Sequence, residues 1–98
     1  MEFTRSKIYD GTSLQGYLTT SFYQLKKSFG EPDDDGGDGK TRANWCLKFA
    51  DGTVATIYDW KCYGTPVEEV REWNIGGVNT LAVERVMEAL GINSYKYV

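Results

Sequence analysis

The chain has 98 residues, a formal net charge of −3 and no histidine. That is the size of a single domain, which hides only about two-thirds of the surface its unfolded chain exposes. The acidic balance argues against duplex DNA, whose binding depends on clustered Lys and Arg displacing counterions. The missing imidazole removes Ser-His-Asp and Cys-His catalysis and the commonest transition-metal ligand.

The hydrophobic share of 41%, with three Trp, seven Tyr and four Phe, supplies large burial units for one small core. No apolar run approaches the roughly 20 residues that cross a bilayer, and the first residues carry no secretion signal. A cytoplasmic protein folding without a cofactor or membrane is therefore expected. The two cysteines are read as free thiols.

From the N-terminus, β-favouring residues around Asp10-Gly11 predict a hairpin, with one strand through Ile8 and Tyr9 and the next through Tyr17 and Leu18. Ser21 and Gln24 have capping-box spacing, Phe22, Leu25 and Phe29 recur at helical intervals, and Gly30 supplies a stop. A helix of about ten residues follows. Residues 31–40 carry Asp33, Asp34, Asp35 and Asp38 among glycines and predict a mobile acidic loop.

Residues 44–50 and 53–60 alternate apolar and polar around Asp51-Gly52, the strongest hairpin signal in the chain. A two-residue turn there sets Phe49 opposite Val54, Leu47 opposite Thr56 and Trp45 opposite Tyr58, all on one core-facing side. Asn44, Cys46, Lys48, Ala55, Ile57 and Asp59 then share the more polar side. In that register Cys62 lies about 16 Å beyond the partner of Cys46, too far for a disulfide. A third strand follows over 70–75, ended by Gly76-Gly77. Asn79 or Thr80 caps a last helix with the stripe Val83, Val86, Met87 and Leu90, which Gly91 terminates, before an extended tail over 92–98. The order β-β-α-β-β-β-α predicts an α+β fold, a small, mainly antiparallel sheet with both helices against one face.

Motifs with possible chemistry are few. Glu31, Asp33, Asp35 and Gly36 match the first half of an EF-hand loop, but its twelfth position is Arg42 and a strand follows, which favours a solvated loop. Asp59-Trp60-Lys61 matches the acidic-x-Lys element of metal-dependent nucleases. The upstream Asp51 lies about 25 Å from Asp59 along the strand and cannot share a cation with it. Tyr58, Trp60, Tyr63 and Trp73 could form a stacking surface, although Trp45 and Tyr58 fit the core better. Gly76-Gly77 before a capped helix could present backbone N–H groups to an anion, or simply make a turn.

Phe29-Gly30-x-Pro32, then Trp45, then Asp51-Gly52-Thr53-Val54-Ala55-Thr56-Ile57-Tyr58-Asp59-Trp60-Lys61, then Trp73-Asn74-Ile75-Gly76-Gly77 resembles small uncharacterised proteins encoded by tailed bacteriophages, over residues 20–90. The resemblance implies a viral setting and the cytoplasm of a host cell, with no reaction attached. Small acidic phage proteins of this kind look like inhibitors that block host enzymes or defence factors. The expectation is a noncatalytic protein that binds a host protein through Asp33, Asp34, Asp35, Asp38, Asp59, Trp60, Lys61 and Tyr63. The alternative is a binder that sequesters a nucleotide-type small molecule, with Gly76 and Gly77 as the anion site, and a metal-dependent nuclease ranks third. The oligomeric state, monomer or homodimer, stays open.

Overall fold

The first helix forms where its apolar spacing and caps agree. In the computed structural model, which describes residues 2–6, 11–33, 43–59 and 64–98, helix α1 spans Phe22–Phe29, and the Ser21 hydroxyl accepts from the Gln24 N–H. Phe22, Leu25 and Phe29 are buried, and Gly30 closes the helix at φ 88°, a conformation favourable to glycine. Helix α2 spans Leu81–Leu90 and ends on left-handed Gly91, with Val83, Val86, Met87 and Leu90 buried. The Asn79 carboxamide oxygen accepts from the Leu81 N–H, so the residue before the N-cap makes the side-chain bond at this helix start.

Six strands form one antiparallel sheet. They are β1 (Phe3–Arg5), β2 (Ser13–Thr19), β3 (Asn44–Phe49), β4 (Val54–Tyr58), β5 (Glu72–Gly77) and β6 (Tyr95–Tyr97), in the spatial order β1-β3-β4-β5-β2-β6. A short 3-10 turn at Val67–Glu69 precedes β5. The α+β class and the packing of both helices on one face match the sequence reading, and α1 and α2 share one core with Trp45, Leu47, Ile57, Trp73 and Ile75.

Three strand expectations need correction. The first two strands do not form a hairpin: β1 pairs with β3, and β2 lies between β5 and β6. β1 and β2 are four strand spacings apart, about 19 Å. Gly11 has φ 78°, while Asp10 and the strand expected at Ile8 and Tyr9 lie outside the described residues. Next, the tail expected to be extended also pairs: Tyr95–Tyr97 form a strand, β6, beside β2, which the element order read from the sequence lacks.

The third correction is register. Trp45 faces Ile57, Cys46 faces Thr56 and Leu47 faces Ala55, one place from the expected pairing. The Gly52 N–H bonds to the Phe49 carbonyl, the Phe49 N–H bonds to the Thr53 carbonyl, and Gly52 takes φ 90°. This is a three-residue loop in which a left-handed glycine adds a bulge, and it replaces the two-residue turn. A slip of one residue exchanges the faces of a strand. Ala55 and Ile57 therefore enter the core with Trp45, Leu47 and Phe49, while Tyr58 is only half-buried on the opposite face. There burial pushes the Tyr58 hydroxyl up, against a hydrogen bond with Asn74.

The two indoles fix α1 to the sheet. Trp45 Nε1 donates to the Gly30 carbonyl at 2.8 Å, beyond the end of the helix, and Trp73 Nε1 donates to the Thr20 carbonyl at 3.1 Å, before its start. The rings meet edge to face at 5.6 Å, and Phe22 stacks on Trp73. Buried Trp thus supplies apolar area and satisfies its polar atom at once.

Candidate functional site

Asp33, Ala43 and Asp59 converge at one end of the sheet. The Asp33 N–H donates to the Asn44 carbonyl at 2.7 Å and the Asn44 N–H returns the bond to the Asp33 carbonyl at 3.1 Å. The Asn44 side-chain amide adds a third bond to the same Asp33 carbonyl. The Ala43 N–H donates to Asp59 Oδ1 at 3.1 Å, while the Asp59 N–H points back to the Ala43 carbonyl at 3.4 Å. These residues adjoin 34–42 and 60–63, so the described ends of both segments are tied together.

Arg5 completes the arrangement. From the edge strand β1, its Nη1 donates to the Phe29 carbonyl at 2.8 Å and the Glu31 carbonyl at 2.7 Å, and its Nη2 meets Asp33 Oδ2 at 3.0 Å. The guanidinium fork spans the C-terminal end of α1, where carbonyls lack helical partners and positive charge is favoured. Lys26 also reaches the Glu31 carboxylate at 3.2 Å. Residues 31–33, expected to begin a mobile loop, are therefore held by β1, α1 and β3.

Asp33 sits at the surface with its carboxylate partly exposed and paired to Arg5. Asp59 corrects the expectation of an exposed partner-binding side chain. It is 0% exposed, because the true register turns Ala55 and Ile57 inward and Asp59 continues that alternation past the end of β4. Its carboxylate serves Ala43 within the protein. Asp34, Asp35, Asp38, Trp60, Lys61 and Tyr63 lie outside the described residues, as does the second cysteine, Cys62. The Cys46 side chain is buried, and burial pushes its thiol up against a hydrogen bond with Ser6.

The expectation of an anion site at Gly76 and Gly77 is also corrected. Both belong to β5 and are flanked by strands on both sides: Gly76 opposite Thr56 and Leu14, Gly77 opposite Ala55 and Ser13. Their role is close approach. A Cβ on Gly76 would lie 2.4 Å from Thr56 Oγ1, and one on Gly77 would lie 2.4 Å from the Ala82 Cβ. Neither separation is tolerable, so these glycines admit a neighbouring strand's side chain on one face and α2 on the other.

No family model, curated protein or solved structure matches the chain. Among the described residues, no three carboxylate or thiol side chains gather where they could hold a metal ion, and no helix is long and apolar enough to cross a membrane.

Arg5 and Asn44 were not singled out in the sequence, and no local signal marks them, since their partners lie 26 and 11 positions away. The arrangement they build joins Asp33, Ala43 and Asp59 at one sheet end through a charged pair and backbone pairing.

Proposed function

We propose that this chain is a noncatalytic binding protein that inhibits or redirects a host protein, in the phage setting its motifs imply. The observation that supports this reading is the convergence of Asp33, Ala43 and Asp59 through Asn44. Asp33 precedes Asp34, Asp35 and Asp38 in the sequence, and Asp59 precedes Trp60, Lys61 and Tyr63, so the described residue before each group is held at one end of the sheet. Rooting contact residues on ordered strands reduces the entropy lost on association. An acidic surface accompanied by aromatic residues suits a basic protein surface, where charge sets the encounter rate and aromatics supply the anchors.

Native mass spectrometry of the chain, before and after incubation with clarified bacterial lysate, tests the proposal. The expected result is a protein adduct of fixed stoichiometry that weakens about tenfold when Asp34, Asp35 and Asp38 are changed together to Asn. A retained mass of nucleotide size without a protein adduct would replace this reading with the sequestering one. A bare chain in both samples would contradict both.

A further inference from the structure

The β6 edge carries features unrelated to the sheet end described above. The Thr19 N–H bonds to the Ser94 carbonyl and the Val98 N–H to the Gln15 carbonyl, while Lys96 pairs with Tyr17. Backbone groups alternate in direction along an antiparallel strand. Ser94, Lys96 and Val98 therefore face β2, and the N–H and C=O groups of Tyr95 and Tyr97 point outward. Among the described residues no strand lies on that outer side. Such an edge is a template for pairing with another chain.

The side chains beside it define a charge. Tyr95 and Tyr97 meet edge to face at 5.3 Å and are each 42% exposed. Between Tyr95 and α2 lies a hollow of about 360 Å³, lined by Glu84, Glu88, Met87 and Ile92 and by no Lys or Arg. Arg85, on the same helix, is engaged by Asp51 at 2.9 Å and by one Glu88 oxygen at 3.0 Å. With Asp51 and Arg85 included, this corner of α2 still carries more negative than positive charge.

We propose that β6 accepts an extended, basic segment of another protein as a seventh strand, with a Lys or Arg side chain seated in the hollow between Glu84, Glu88 and Tyr95. Backbone pairing to an exposed edge supplies affinity, and the pocket on alternate residues supplies selectivity. The aromatic face beside two carboxylates suits a cation. A second copy of this chain fits poorly. Antiparallel pairing of two β6 strands follows a two-fold axis normal to the sheet, which places both α2 helices on one face and brings Glu84 and Glu88 of each copy toward the seam. The register pairing Tyr95 with Tyr97 would also set Lys96 opposite Lys96, an unfavourable like-charge contact. This inference shares no residue with the proposed host-protein site and stands or falls separately.

An array of short random peptides probed with the labelled full chain tests it. Bound peptides should be enriched in Lys and Arg at alternate positions relative to the array. Changing Glu84→Gln together with Glu88→Gln, both exposed, should weaken the best peptide about tenfold. Tyr97→Pro should abolish binding by removing an outward N–H, whereas Tyr97→Ala, which keeps that N–H, should retain part of it. The proposal is overturned if no peptide binds, if the bound set shows no basic enrichment, or if the Glu and Pro variants bind as well as the parent. Concentration-dependent dimerisation that Tyr97→Pro abolishes would overturn it in favour of a second copy.

Discussion

The Asp59 carboxylate is buried and bonded to the Ala43 N–H across the ends of β3 and β4. Removing the acceptor leaves a buried N–H without that partner, a cost of about 1–3 kcal/mol. Asp59→Ala should lose stability in that range in urea unfolding, while Asp59→Asn, which retains an acceptor oxygen, should lose less. Equal losses, or none, would contradict the assigned role. The sequence did identify Asp59 as unusual, but placed it on the wrong face. Its burial follows from a register set seven positions earlier at Gly52, and a one-residue slip is invisible to an alternating pattern that is apolar on both faces. Trp45, Leu47 and Phe49, by contrast, were legible as core because their strand holds the same face under either register.

At the level of elements, both helices could be read from the chain, since caps and apolar spacing are local properties. The hairpin of β3 and β4 was legible too, but its loop was not, because Asp-Gly serves both a two-residue turn and the second and third positions of a three-residue one. Asp51 shows what the longer loop achieves. Its Oδ1 accepts from the Thr53 N–H and its Oδ2 meets Arg85 on α2, tying the hairpin tip to the helix. The Thr53 N–H first, and Arg85 after it, hold the Asp51 carboxyl at about 2, below its ordinary 3.8. A depressed carboxylate stabilises the fold above its unfolded value, and that contribution disappears as the pH falls through the folded one. The stability difference between the parent and Asp51→Asn should therefore be constant above about pH 5 and close as the pH falls toward 2. A difference that widens in acid would show that Asp51 titrates otherwise.

Across the whole molecule, long-range pairing was what the sequence could not convey. Turn chemistry at Asp10-Gly11 suggested neighbouring strands, yet β1 and β2 are separated by β3, β4 and β5. Gly76 and Gly77 looked like a strand terminator because glycine disfavours strands in general. They are instead sites where Thr56 and Ala82 approach too closely for any side chain. The same topology separates two surfaces: the sheet end where Asp33, Ala43 and Asp59 meet, and the β6 edge beside Glu84 and Glu88. Asp33 and Asp59 at the first were named from the sequence, but the bonds that join them through Asn44 and Ala43 were not; the β6 edge depends on pairing by a three-residue strand that composition does not mark.

Hydrogen exchange of the chain alone and in the proposed adduct with a host protein reports which backbone amides the partner covers. Added protection is expected in peptides covering residues 30–44 and 58–66, with little change across α1 and α2. Protection confined to β6 and its flanks, or to the helical face, with none around Asp33, Ala43 and Asp59, would contradict the proposed function.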